Sequence, residues 1–271
     1  MHRRPGKNIA SSFDVIKYLL TLGGLAWLIG RGSEQLGYSW HWHRIPGYIL
    51  TVSHGHWQAG PLLEGLMVTL EVSAASLVLA ALIGLVTALL RLSGSLVGRV
   101  LAVIYLETIR NTPLLVQIFF LYFVMAPILD LSRFTAAVLA LAFFEGAYAS
   151  EIFRAGIVSV ARGQWEAAYS LGLSNYATYR HIILPQAVRL VLPPLTSQAI
   201  SLVKDSALVS TIAVYDLTMQ GRAIVAETFL VFEVWFTLAA IYLLLAFMLS
   251  LLVRLVERLL AGRGQPAWSV Q

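Results

Sequence analysis

Three runs of this 271-residue chain carry no Asp, Glu, Lys or Arg for about twenty residues each: 72–90, 111–129 and 234–253. Coiled into α-helix at 1.5 Å per residue, each is about 30 Å long, the thickness of a bilayer's hydrocarbon core. Two further segments reach that length only with charge inside them, roughly 134–158 with Glu145 and Glu151 and roughly 190–214 with Lys204 and Asp205. A sixth candidate runs from about 13 to 29. Composition agrees: 58% of residues are hydrophobic and 12% charged, where soluble chains are about a quarter charged. Twelve Phe, seven Trp and eleven Tyr exclude disorder. The absence of Cys removes disulfide scaffolds, thiolate metal sites and cysteine nucleophiles. The chain reads as an all-α integral membrane protein with six transmembrane helices.

The N-terminal segment has a second reading. Arg3, Arg4 and Lys7 before an apolar run resemble a signal peptide, but the run ends in Gly30-Arg31-Gly32-Ser33 with no small-x-small site at a plausible distance, so an uncleaved anchor is expected. The net charge of +5 is dispersed in small groups between apolar segments. That pattern sets membrane orientation and argues against nucleic acid as a partner. With the N-terminus inside, thirteen Lys and Arg fall on the cytoplasmic side and four on the outer side, with Arg110 and Lys204 inside spans. Both termini are therefore expected in the cytoplasm.

Residues 32–60 then form an outer loop whose Tyr38, Trp40, Trp42 and Trp57 suit the headgroup level. His41, His43, His54 and His56 in that loop have the spacing of a transition-metal site. No close carboxylate joins them, so they read as incidental and no metal is expected. Residues 159–189 form the longest inner loop and are rich in helix formers. Gly172 suits the end of one short helix, Ser174 the N-cap of a second, and Pro185 a stop or kink before the next span. A helix–turn–helix of this kind either lies on lipid or offers a rigid knob to a partner protein.

Glu166-Ala167-Ala168, then Gly172, then Ile182 and Leu184-Pro185 resemble the cytoplasmic-loop signature of permease subunits of ATP-binding-cassette (ABC) importers. Residues 110–117, 146–157 and 202–208 are similar to the polar amino acid uptake branch, and the resemblance covers about 61–260. It implies a type I ABC importer transmembrane domain with a five-span core, to which residues 1–60 add one N-terminal span and an outer loop. It also implies a coupling loop at about 159–189, a cytoplasmic tail at 261–271, and a place in the bacterial cytoplasmic (inner) membrane. The implied partners are two cytoplasmic ABC ATPases, a second permease (the same chain or a paralogue), an extracytoplasmic substrate-binding protein, membrane lipid and a polar amino acid. ATP and Mg would sit on the ATPases; this chain would bind no cofactor and would not be an enzyme. Accordingly, none of Lys7, Lys17 and Lys204 stands in a Gly-Lys-Ser/Thr context. Glu166, Ala167, Ala168, Gly172 and Pro185 would make the ATPase-coupling contact.

A charge at mid-membrane costs about 2.5–3.5 kcal/mol on insertion scales, so each intramembrane charge needs a partner or a polar cavity. Gln198, Ser201 and Asp205 fall at i, i+3, i+7, while Ser197, Ser201 and Lys204 fall at i, i+4, i+7; together they mark one polar face. Such a face is either hydrogen-bonding glue between helices or a substrate pathway. Gln198, shortly after Pro193-Pro194, is similar in position to the family's substrate-contacting residue. As a neutral side chain there it favours acidic or neutral cargo over cationic cargo. Glu145 departs from the family pattern and is expected to line the pocket or to pair with Arg110 or Lys204. Glu151 lies in a family motif and is expected to be structural. Pro113 is expected to break the third span near its inner third. A membrane-embedded enzyme, a passive channel, or an importer permease for another small solute are the competing readings.

Overall fold

The computed structural model describes residues 15, 17–24, 27, 31–32, 38–53 and 56–261. The chain divides into two compact units, Met1–Trp42 and His43–Gln271. In the first, residues 17–24 are helical, and most of the rest of the expected N-terminal span lies outside the described residues. Its aromatic segment is a ladder, with Tyr38 edge-on to Trp40 and Trp40 stacked on Trp42 at 5.9 Å.

The second unit opens with short helix α1 (Ile45–Ile49) and an antiparallel hairpin, β1 (Leu50–Ser53) and β2 (His56–Ala59), paired Leu50 to Ala59 through Ser53 to His56. The sequence reading treats this stretch as plain loop. Two four-residue strands without an apolar face give no periodic signal to read. Ile45 packs with Leu62, Leu217 and Val234, so the hairpin sits at the end of the bundle where the first long helix begins.

That helix, α2 (Pro61–Leu92), starts with proline in its first turn, where no intrahelical N–H is needed. It packs along α6 (Arg133–Val158), capped by the Ser132 hydroxyl accepting from Thr135 N. The seam is made of small residues: Ser73, Ser76, Ala80, Gly84 and Ala88 on α2, and Ala136, Ala137, Ala140, Ala147 and Ala149 on α6, are all buried. Lipid removes the hydrophobic reason for two helices to meet, so close backbone approach must hold them together. At Gly84 an added Cβ would lie 2.8 Å from the Ala149 Cβ and 3.0 Å from the Gly146 carbonyl.

The expected third span, 111–129, is not one straight helix. α3 (Leu96–Arg110) is capped by Ser95, and after Pro113 the chain re-forms as α4 (Leu114–Phe119), a π-helical turn (Phe120–Met125) and α5 (Ala126–Leu129). The axis turns by 106° between α3 and the later segment. Pro113 thus stands at the corner as the residue preceding α4, rather than within a continuous helix. Gln117 fastens the corner: its amide donates to Ile109 O (2.8 Å), Thr112 O (3.1 Å) and Thr112 Oγ1 (2.9 Å). These carbonyls are ones the broken helix leaves without backbone partners.

The expected span at 190–214 is also displaced. After α7 (Arg162–Ser170) and α8 (Asn175–Thr178), a π-helical turn (Tyr179–Ile183) leads into α9 (Leu184–Asp205), followed by a 3-10 turn (Ser206–Ile212). Pro185 stands in the first turn of α9 and starts that helix instead of stopping the one before it. α10 (Leu217–Thr228) and α11 (Val231–Ala261) complete the chain. Among the described residues, α2, α6, residues 231–255 of α11 and the bent pair are long and apolar enough to cross a membrane. α9, with 22 residues, is also long enough to span, but Arg189, Gln198, Lys204 and Asp205 make it more polar than these.

Gly84→Val is expected to lower stability by about 1–3 kcal/mol through overpacking of the seam. A lower Tm of the detergent-solubilised protein would register it. Gly94→Val, where a Cβ meets nothing within 4 Å, should shift stability by less than about 0.5 kcal/mol.

Candidate functional site

The residues singled out in the sequence occupy two separate places. The first is the α7–α8 corner. α7 ends in a Schellman motif: Leu173 N donates to Ala168 O (3.2 Å) and Gly172 N to Tyr169 O (2.9 Å). Gly172 takes φ +73°, the left-handed conformation that a side chain resists. Ser174 Oγ then accepts from Ala177 N at 3.3 Å and caps α8. The corner is anchored from behind, where Trp165 meets Tyr179 edge-on at 5.1 Å and both pack on Ile157, Val160, Ile183 and Ala187. Ala168 is buried, whereas Glu166, Ala167 and Pro185 are exposed. Glu166 makes only an exposed ion pair with Arg162 (3.0 Å), of the kind worth under about 1 kcal/mol.

Sequence reasoning missed the residues at the tip. Leu171 is 80% and Tyr176 77% exposed, and Tyr169 is also exposed. Large apolar side chains immediately flanking a helix-stopping glycine were the available signal. The α7–α8 corner therefore presents a stiff, partly apolar knob at the Leu92/Val158 end of the bundle.

The second place lies where α9 packs on α6. Glu145 is 1% exposed in the middle of α6. Its Oε2 accepts from the Gln198 amide, and its Oε1 is buried without a hydrogen-bond partner among the described residues. The expected pairing of Glu145 with Arg110 or Lys204 is therefore corrected: the partner is Gln198, which faces α6 across the helix contact. Arg110 instead joins Arg91 and Arg154 around Glu151, at 3.4, 2.5 and 3.2 Å. The polar face of α9 divides accordingly. Gln198 points toward Glu145, Ser201 and Asp205 are half-buried, and Lys204 is exposed. Of the outer histidines, His54 lies outside the described residues. Among the described residues no three His, Cys, Asp or Glu side chains are grouped as for a metal ion.

Residues 80–262 match the protein family described as "Binding-protein-dependent transport system inner membrane component". The chain belongs to that family. It is 40% identical over 206 residues to the glutamine transport system permease protein GlnP of Escherichia coli (strain K12), covering 74% of this chain and 94% of that one. It is 38% identical over 201 residues to the L-cystine transport system permease protein TcyB of Bacillus subtilis (strain 168), covering 73% and 86%. A crystal structure of an amino acid ABC transporter with histidines matches with TM-score 0.69 and 40% identity over 73% of this chain and 93% of that one. The inward-facing MetNI methionine ABC transporter matches at 19% identity with TM-score 0.65, covering 74% and 96%, and shares the fold. This permease has the type I importer architecture that the loop signature implied, and it is a transporter subunit rather than an enzyme.

Gly172→Asn should be tolerated, because Asn adopts left-handed φ with little strain, whereas Gly172→Val should cost about 1–2 kcal/mol locally. Faster cleavage of the 171–174 segment by limited proteolysis in the Val variant alone would reveal the difference.

Proposed function

We propose that this chain, paired with a second copy or a paralogue, forms the translocation pathway for ATP-driven import of a polar amino acid. The observation that carries the reading is the exposed knob at the α7–α8 corner, held stiffly by Trp165 and Tyr179. In this reading 61–260 is the permease domain and 159–189 its coupling loop. Glu166, Ala167, Ala168, Gly172 and Pro185 shape the knob, and Leu171 and Tyr176 supply apolar contact to a cytoplasmic ATPase. ATP and its Mg belong to that ATPase. Both termini lie in the cytoplasm, the side that the Lys and Arg count favours. A substrate-binding protein delivers cargo from the other side. A passive channel has no use for such a knob.

Amino acid cargo is supported by the glutamine and cystine systems to which the relatives belong. Gln198 alone favours acidic or neutral over cationic cargo. The Glu145 carboxylate bound to Gln198 disfavours an acidic side chain, and the glutamine and cystine relatives support a neutral polar amino acid. The vacant Glu145 oxygen matches the single α-ammonium group that every amino acid carries. Glu145 is closed off between α6 and α9 in this conformation, so the two helices must part for cargo to reach it. Ser201, Lys204 and Asp205 continue the path along α9.

Two measurements separate the parts of this proposal. Leu171→Asp with Tyr176→Asp should abolish co-purification of the ATPase and reduce uptake to background while the permease still folds. Persistence of both would overturn the coupling role. Glu145→Gln should lower uptake at least about tenfold, the loss of one charge-assisted contact, with ATPase association intact. Competition by excess arginine but not by glutamine would overturn the cargo assignment.

A further inference from the structure

The 106° turn between α3 and α4 encloses an apolar crook of about 520 Å³. Tyr105 and Ile109 of α3, Val116 of α4, Phe120 and Met125 of the following turn, and Phe143 of α6 line it. Three of the donors there bond within the protein: Tyr105 OH donates to Phe143 O (2.6 Å), Thr112 Oγ1 to Thr108 O (2.8 Å), and the Gln117 amide closes the corner. The crook opens onto an apolar surface continued by Val100, Val103 and Ile104, all more than 40% exposed.

The same turn of chain also carries charge, on residues that alternate with those of the crook along α3. Arg91, Arg110 and Arg154 surround the one carboxylate of Glu151, and the Arg110 side chain remains 44% exposed. A polar recess of about 200 Å³ beside it is lined by Glu107, Arg110, Asn111 and Tyr148. Glu107 accepts from Asn111 Nδ2 at 2.9 Å. Even with Glu107 counted against the three arginines, the group keeps a net positive charge. An apolar slot for a chain and an exposed guanidinium thus lie on residues 105–116 of a membrane protein, at the arginine-rich end of its bundle.

We propose that this corner binds an anionic phospholipid, one acyl chain lying in the crook and the phosphate against Arg110. Charge complementarity selects the lipid class, since basic pockets between spans take anionic headgroups. Guanidinium pairs with phosphate through parallel hydrogen bonds, which fixes the headgroup and not merely its charge. The inference rests on the membrane family and not on the coupling or cargo readings, and its readout is lipid binding rather than transport.

The test is native mass spectrometry of the intact transporter, released from detergent with defined mixtures of phosphatidylglycerol and phosphatidylcholine. Phosphatidylglycerol should be retained preferentially. Arg110→Gln should weaken that retention about fivefold, the contribution of one interfacial arginine, and Arg110→Lys, which keeps the charge but not the paired hydrogen bonds, should restore only part of it. Val116→Trp, which fills the crook and leaves the arginines in place, should also displace the lipid. Free glycerol 3-phosphate should not compete, whereas its competition would overturn the lipid in favour of a soluble phosphate. Equal retention of the two lipids, or retention unchanged in both Arg110→Gln and Val116→Trp, would overturn the proposal. Because the chain has no cysteine, Val116→Cys provides a unique thiol. A disulfide between two permeases through it would assign the crook to a second copy instead.

Discussion

The close seam between α2 and α6 is the contact from which the rest of the bundle takes its positions. In hydrocarbon, two apolar helices gain nothing by hiding from solvent, so contact area and backbone proximity must hold them. Ser73, Ser76, Ala80 and Gly84 against Ala140, Gly146 and Ala149 let the two axes approach closely. α6 is thereby fixed along its length. Its middle carries Glu145 to the contact with α9, and its Val158 end feeds directly into the knob.

This geometry places the two candidate sites on one continuous element. The knob packs against Ile157 at the end of α6, Val160 just after it, and Ile183 and Ala187 at the start of α9, all four in one buried cluster. Both helices that hold the Glu145–Gln198 pair are therefore rooted in the same patch.

Much of this was legible in the residues. The helix–turn–helix of the inner loop was legible down to its caps because Gly172 and Ser174 are local signals, acting within four residues of themselves. Charge-free length located the helices of the bundle for the same reason. What escaped was set by contacts between distant segments. The bend at Pro113 depends on Gln117 reaching back across the corner, and a proline alone does not distinguish a kink from a right-angle turn. Pro185 was misassigned because the π-helical turn before it lets the chain continue into α9, and no sequence rule gives the length of that turn. The partner of Glu145 was not legible: charge suggested Arg110 or Lys204, but helix rotation gave Arg110 to Glu151 and turned Lys204 outward.

The π-helical turn at Tyr179–Ile183 has a mechanical consequence. Such a turn stores one more residue than an α-helical turn of the same height. Expelling that residue would screw α9 by about 100° and advance it about 1.5 Å relative to α8. A one-residue slip at this joint would thus turn the face that bears Gln198 about the axis of α9.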